Sequence, residues 1–195
     1  EPIIRANLAR TTNALAAAGT TNSSILAWGG TTPPGATVTT SLLYNGMCLI
    51  EGTNISEGRG TDSPFKIIGA PWIDSNKLIK DLKSKNFKGV EFKEISFIPK
   101  SLIGKSSNPK YLDIPCSGIE LIVKDKEEIF PLEIAVNLLD ILYKNHPKNF
   151  KFINDDFIDK LYGSNKLRLS IINNHDITSL IQSWETNTYE QFLLY

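Results

Sequence analysis

Between Glu51 and Thr61 the chain reads Glu-Gly-Thr-Asn-Ile-Ser-Glu-Gly-Arg-Gly-Thr, which places two carboxylates and a guanidinium among glycines, hydroxyls and an amide. Gly52, Gly58 and Gly60 permit positive φ and close backbone approach. Thr53, Asn54, Ser56 and Thr61 carry donors and acceptors of the kind that recognise sugar hydroxyls or an acetamido group. Arg59 offers a planar fork suited to a carboxylate or a phosphate, and the same fork can hold Glu51 or Glu57 inside the protein. The residue types therefore leave two readings open, a ligand loop and a structural loop whose charges neutralise one another. A phosphate cradle is excluded, because no Gly-Lys-Ser/Thr follows and Gly-x-Gly-x-x-Gly is absent.

Other residues carry weaker signals. Trp72, after Gly69-Ala70-Pro71, is a candidate stacking platform for a sugar ring or a core residue at a strand end. Trp28 and Trp184 lack a comparable polar neighbourhood. His146 and His175 have no second His or Cys at ligand spacing, so no metal and no cofactor is expected. Cys48 and Cys116 are isolated and read as small buried apolar residues. The sequons Asn22-Ser23-Ser24 and Asn54-Ile55-Ser56 are short patterns that a bacterial origin would make irrelevant.

The elements that must position these residues follow from periodicity and punctuation. Residues 3 to 18 read as an Ala-rich helix ending at Gly19, and Trp28 to Thr40 reads as a Gly/Pro/Thr-rich linker. Residues 1 to 40 are thus expected to stand apart from a domain spanning 41 to 195. Leu42 to Ile50 is apolar, and its periodicity does not separate a helix from a buried strand. Phe65 to Trp72 reads as a strand. A helix is expected over Ser75 to Lys85, with Asp74 or Ser75 as its N-cap, and its lysines form a solvated face rather than a nucleic-acid patch. Strands follow around Val90 to Phe97 and Ile119 to Val123, joined by the long connection Lys100 to Pro115. Pro131 opens an apolar helix that His146-Pro147 stops, and shorter helices are expected at Asp155 to Tyr162 and from Ile177 to Trp184 or beyond. The expected class is α+β, a small mixed sheet flanked by helices.

The composition of the 195 residues is 41% hydrophobic and 22% charged, enough apolar material for a real core. Lys plus Arg and Asp plus Glu are equal at 21 each, which removes any long-range reason to expect a nucleic acid or an anionic membrane as partner. No run approaches the roughly 18 apolar residues of a membrane span, and the N-terminus shows no secretory pattern. A chain that starts at Glu1 and whose sole Met is Met47 reads as a processed product or a fragment. Arg5 and Arg10 are the sole Lys, Arg, Asp or Glu residues between Pro2 and Ile50, and the charged regime begins at Glu51, where the loop begins.

The loop, followed by Pro64-Phe65 and by Ile68-Gly69-Ala70-Pro71-Trp72-Ile73-Asp74, closely resembles the signature of the bacterial exo-β-N-acetylmuramidase family. Weaker similarity continues through Gly89-Val90-x-Phe92, Phe97-x-Pro99, Cys116-x-Gly118, Leu142-Tyr143 and Leu193-Leu194-Tyr195, so it covers about residues 42 to 195. The resemblance implies a glycosidase of peptidoglycan recycling that removes N-acetylmuramic acid from the non-reducing end of muropeptide-derived glycans. It implies two halves, Rossmann-like and C-terminal, with the active site between them. This chain resembles the C-terminal half of such a two-domain hydrolase, with the first half and its catalytic acid as a missing partner. A periplasmic or secreted setting is implied in the same way.

N-acetylmuramic acid carries a lactyl carboxylate, for which Arg59 is the candidate partner. Thr53, Asn54, Ser56, Thr61 and Trp72 are the other candidate substrate contacts. Glycoside hydrolysis generally uses two carboxyl groups about 5 to 9.5 Å apart. Glu51 or Glu57 is a candidate for one of them, with orientation of Arg59 and of sugar hydroxyls as the role ranked first. The alternative function is a non-catalytic glycan-binding or structural subunit.

Overall fold

The computed structural model describes residues 38–103, 106–153 and 156–192, with side chains as far as Trp184. The helix expected at 3 to 18, most of the linker with Trp28, and the terminal Leu193-Leu194-Tyr195 lie outside the described residues. The chain is α+β: a three-stranded sheet with helices packed around it.

The segment whose periodicity was ambiguous is helical. Helix α1 spans Val38–Met47 and tightens into a 3₁₀ turn, Cys48–Gly52. Leu42, Leu43, Met47, Leu49 and Ile50 are all buried, and it is this burial from several sides that erases an amphipathic signal. Strand β1 is Ile67–Ala70, and helix α2 is Ser75–Lys83. Asp74 caps α2 by accepting a hydrogen bond from the Lys77 amide at 3.0 Å. Strands β2, Val90–Phe97, and β3, Cys116–Val123, pair antiparallel from Val90↔Val123 to Phe97↔Cys116.

The strand order is β1-β3-β2, and β3 also runs antiparallel to β1, with Ile67 opposite Glu120 and Ala70 opposite Ser117. The expected mixed sheet is therefore corrected: every pairing among the described strands is antiparallel. The physical reason is a split βαβ arrangement. The crossover through α2 does join two parallel strands, β1 and β2, but it leaves one strand position between them. The long connection after β2 lets β3 return and fill that position.

Helix α3, Pro131–Asn145, is the centre of the core. Pro131 fits the first helical turn, where its missing N–H costs nothing. Leu132, Ile134, Ala135, Val136, Leu138, Leu139, Ile141 and Leu142 are all buried, so the helix is covered on nearly every side. It packs on α1 and α2 and on the last helices, α5, Lys166–Ile172, and α6, Ile177–Phe192. Between them, the short α4, Phe157–Tyr162, leans on the 3₁₀ turn. The Trp184 indole donates to the Tyr162 hydroxyl at 2.8 Å, tying α6 to α4. Among the described residues no helix is long and apolar enough to cross a membrane.

Candidate functional site

The Glu51–Thr61 segment leaves the end of the α1–3₁₀ run and crosses the molecule between two supports. On one side the Ser56 and Gly69 amides and carbonyls exchange hydrogen bonds of 2.9 and 3.0 Å, so the loop lies along the free edge of β1. On the other, the Asn54 amide donates to the Lys151 carbonyl at 3.0 Å and the Ile153 amide donates to Gly52 at 3.1 Å. The Asn54 side chain completes this support, donating to the Asn149 carbonyl and accepting from the Lys151 amide, both at 2.8 Å. Asn54 thus holds a backbone segment almost a hundred residues away.

The hydroxyls of the loop are turned inward. Thr53, fully buried, donates to the Ile50 carbonyl at 2.8 Å and accepts from the Ile55 amide at 3.2 Å. Ser56, also buried, accepts from the Gly58 amide at 3.3 Å. Thr61 donates to the Gly58 carbonyl at 2.7 Å and accepts from the Ser63 amide at 3.1 Å. Gly58 has φ of +79° and Gly60 of +82°, and a Cβ at Gly58 would lie 2.7 Å from the Ile67 carbonyl oxygen. Glycine is required there both by conformation and by space.

The charges form one cluster. Arg59 donates from Nη2 to Glu51 Oε1 at 3.0 Å, and its Nε lies 3.3 Å from Glu57 Oε1. Lys110 Nζ lies 2.9 Å from Glu57 Oε2, so both Glu57 oxygens face cations while its side chain is only 5% exposed. The Lys110 ammonium also reaches the carbonyls of Ile50 at 3.1 Å, Glu51 at 3.3 Å and Ile55 at 2.9 Å. Burial draws this ammonium below the ordinary lysine range, and the Glu57 carboxylate pulls it back up. Arg59 is 36% exposed and lies over the Phe65 ring, 5.1 Å from its centroid. Among the described residues its Nη1 has no hydrogen-bond partner.

Two aromatic residues beside the cluster sit in left-handed backbone, Phe65 at φ of +63° and Tyr111 at +56°. That conformation is uncommon for bulky side chains and persists where surrounding contacts over-determine it. Phe65 donates its amide to the Glu57 carbonyl at 2.7 Å and meets the Tyr44 ring edge-on. The Tyr111 hydroxyl donates to the Asn54 carbonyl at 2.7 Å and accepts from the Trp72 indole at 3.1 Å. Trp72 is partly buried, 5.1 Å from the His146 ring and joined through Tyr111 to the loop.

The structure thus brings Glu51, Glu57 and Arg59 into one cluster, turns Thr53, Ser56 and Thr61 into the loop, and places Asn54 and Trp72 on its flank. Lys110 and Tyr111 belong to the site although the residues themselves do not announce it. They lie in the long connection before β3, where one lysine among many carries no local signal. Among the described residues no group of three or more His, Cys, Asp or Glu side chains is placed to hold a metal.

Residues 42–193 match the family model for the C-terminal part of exo-β-N-acetylmuramidase NamZ. The peptidoglycan β-N-acetylmuramidase NamZ of Bacillus subtilis (strain 168) is 35% identical over 156 residues, which are 80% of this chain and 36% of that protein. The chain therefore spans about a third of the length of that relative. Two solved DUF1343 family proteins of Bacteroides fragilis NCTC 9343 share the fold. One superimposes with a TM-score of 0.65 at 18% identity, over 79% of this chain and 40% of its own. The other gives 0.54 at 24% identity, over 83% and 40%. With the family model covering most of its length, the chain belongs to the C-terminal exo-β-N-acetylmuramidase NamZ family.

Proposed function

We propose that this chain forms one wall of the sugar site of a two-part exo-β-N-acetylmuramidase and selects N-acetylmuramic acid through Arg59. The observation that carries this reading is the state of the guanidinium. Two carboxylates and an aromatic face hold it, it is about one-third exposed, and among the described residues Nη1 is uncommitted. A cation so preorganised suits the lactyl carboxylate, which distinguishes this sugar from neutral amino sugars. The substrate is a muropeptide-derived glycan, and the partner that completes the cleft is an N-terminal half of the same protein.

The loop residues divide by role in this reading. Glu57, with both oxygens facing cations, positions Arg59. Glu51 engages Arg59 through Oε1 alone and keeps 22% of its side chain exposed, so it is the carboxyl of the pair with an oxygen to offer a sugar hydroxyl or a proton. Thr53, Ser56 and Thr61 shape the loop from within. Trp72 offers its partly exposed ring at the flank. Replacing Arg59 by Ala in the two-part protein should lower kcat/KM for release of N-acetylmuramic acid from a chromogenic muramide by about 100-fold or more, the loss of a charge-assisted contact in a partly dry site. Unchanged activity would remove Arg59 as the carboxylate partner. Binding of the sugar without release by the two-part protein would support the glycan-binding alternative.

A further inference from the structure

Lys110 is the one member of the charge cluster supplied by a distant segment, and its position has a consequence for which ligands the site accepts. Glu51, Glu57 and Arg59 alone carry one excess negative charge, and both carboxylates point at the guanidinium. A guanidinium in that company is neutralised twice over and has little attraction left for a third carboxylate. The Lys110 ammonium, 2.9 Å from Glu57 Oε2, brings the cluster to zero net charge. It sits at the carbonyl end of the α1–3₁₀ run, bonded to Ile50, Glu51 and Ile55, where positive charge is favoured. The side chain is 23% exposed, so the charge lies mostly behind the loop rather than in competition for the ligand.

We propose that Lys110 is a specificity-determining residue: by taking up the charge of Glu57 it leaves Arg59 able to hold the carboxylate of an anionic sugar. This rests on the assignment of Arg59 given above. Lys110 acts through Glu57 and Arg59 and is a positioning residue, not one that touches substrate. Burial draws its ammonium below the ordinary lysine range, and the Glu57 carboxylate opposes that shift. The effect is electrostatic at a few ångströms in a partly dry setting, where one unit of charge is worth about a tenfold change in affinity.

The test compares binding of N-acetylmuramic acid and N-acetylglucosamine, the second lacking the lactyl carboxylate, to the two-part protein by titration calorimetry or ligand-observed NMR. Lys110→Met should weaken the acidic sugar about tenfold and leave the neutral one within about twofold. The double variant Lys110→Met with Glu57→Gln returns the cluster to zero charge and should recover the preference to within about threefold. A single variant that keeps the preference, or a double variant as weak as the single one, overturns the proposal, since mere loss of the carbonyl contacts would not be rescued. If Lys110→Met does not fold, Glu57→Gln alone decides: it removes one negative charge, leaves the cluster net positive and should raise the preference for the acidic sugar, and a fall would overturn the proposal. Arg59→Ala separates the two claims. If the parent two-part protein shows no preference at all, both fall; if Arg59→Ala abolishes a preference that Lys110→Met preserves, this one falls alone.

Discussion

Arg59 acts as a fork with one tine open, and that geometry gives a sharper expectation than its charge does. Nη2 and Nε face Glu51 and Glu57, and among the described residues Nη1 has no hydrogen-bond partner. A lysine at this position would keep the charge as a point rather than a planar fork, and would lose the guanidinium's stacking on Phe65. Arg59→Lys in the two-part protein should therefore raise KM for a muramide at least tenfold with a smaller change in kcat, measured by initial-rate kinetics. A full retention of KM would mean that charge alone suffices. Much of this site was legible from residue types: the clustering of Glu51, Glu57 and Arg59 was an expectation of the loop itself. The direction of Thr53 and Ser56 was not, because a hydroxyl that meets a sugar and one that closes a turn are the same residue until the backbone around it is known.

At the scale of elements, the loop is held by β1 on one side and by the 149–153 segment on the other, and both supports stand on the core built around α3. Leu138, at the middle of α3, is fully buried, whereas Leu169 on α5 is 39% exposed. Leu138→Ala should cost about 2 to 5 kcal/mol of stability through lost burial and a residual cavity. Leu169→Ala should stay within about 0.5 kcal/mol. Urea unfolding of both variants checks the contrast, and similar losses would show that α3 is not the centre of the core. The elements α2, β2, β3 and α3 were legible because each carries a clean period or a clean punctuation mark, such as Asp74 or Pro131. Helix α5 was missed and α1 was ambiguous. The first is short, with two buried residues, Leu167 and Ile171, and the second is apolar on several sides, so neither displays a face.

For the molecule as a whole, the two thiols report on the integrity of the core. Cys48 and Cys116 are free, and burial pushes each thiol up to about 11 from an ordinary value of 9.0. Both should resist alkylation by iodoacetamide at pH 8 in the native chain and react fully in urea, followed by mass spectrometry. Because the native state keeps these protons when the unfolded chain has lost them, stability is unaffected below about pH 8.5 and should fall as pH rises from there toward 11. A melting temperature that is flat or rising across that window would contradict the burial of the thiols.

The sequence by itself determined the family, the α+β class and the identity of the charged loop, because each rests on neighbours in the chain: a contiguous motif, local periodicity, a capping residue. Tertiary structure alone decided that β3 separates β1 from β2, that the loop becomes an edge to β1, and that Lys110 and Tyr111 join the site. Those pairings join residues from 13 positions apart, Ser56 with Gly69, to 57 apart, Asn54 with Tyr111, and they are fixed by which backbone edges remain unpaired and which buried charge needs a partner once the core has closed.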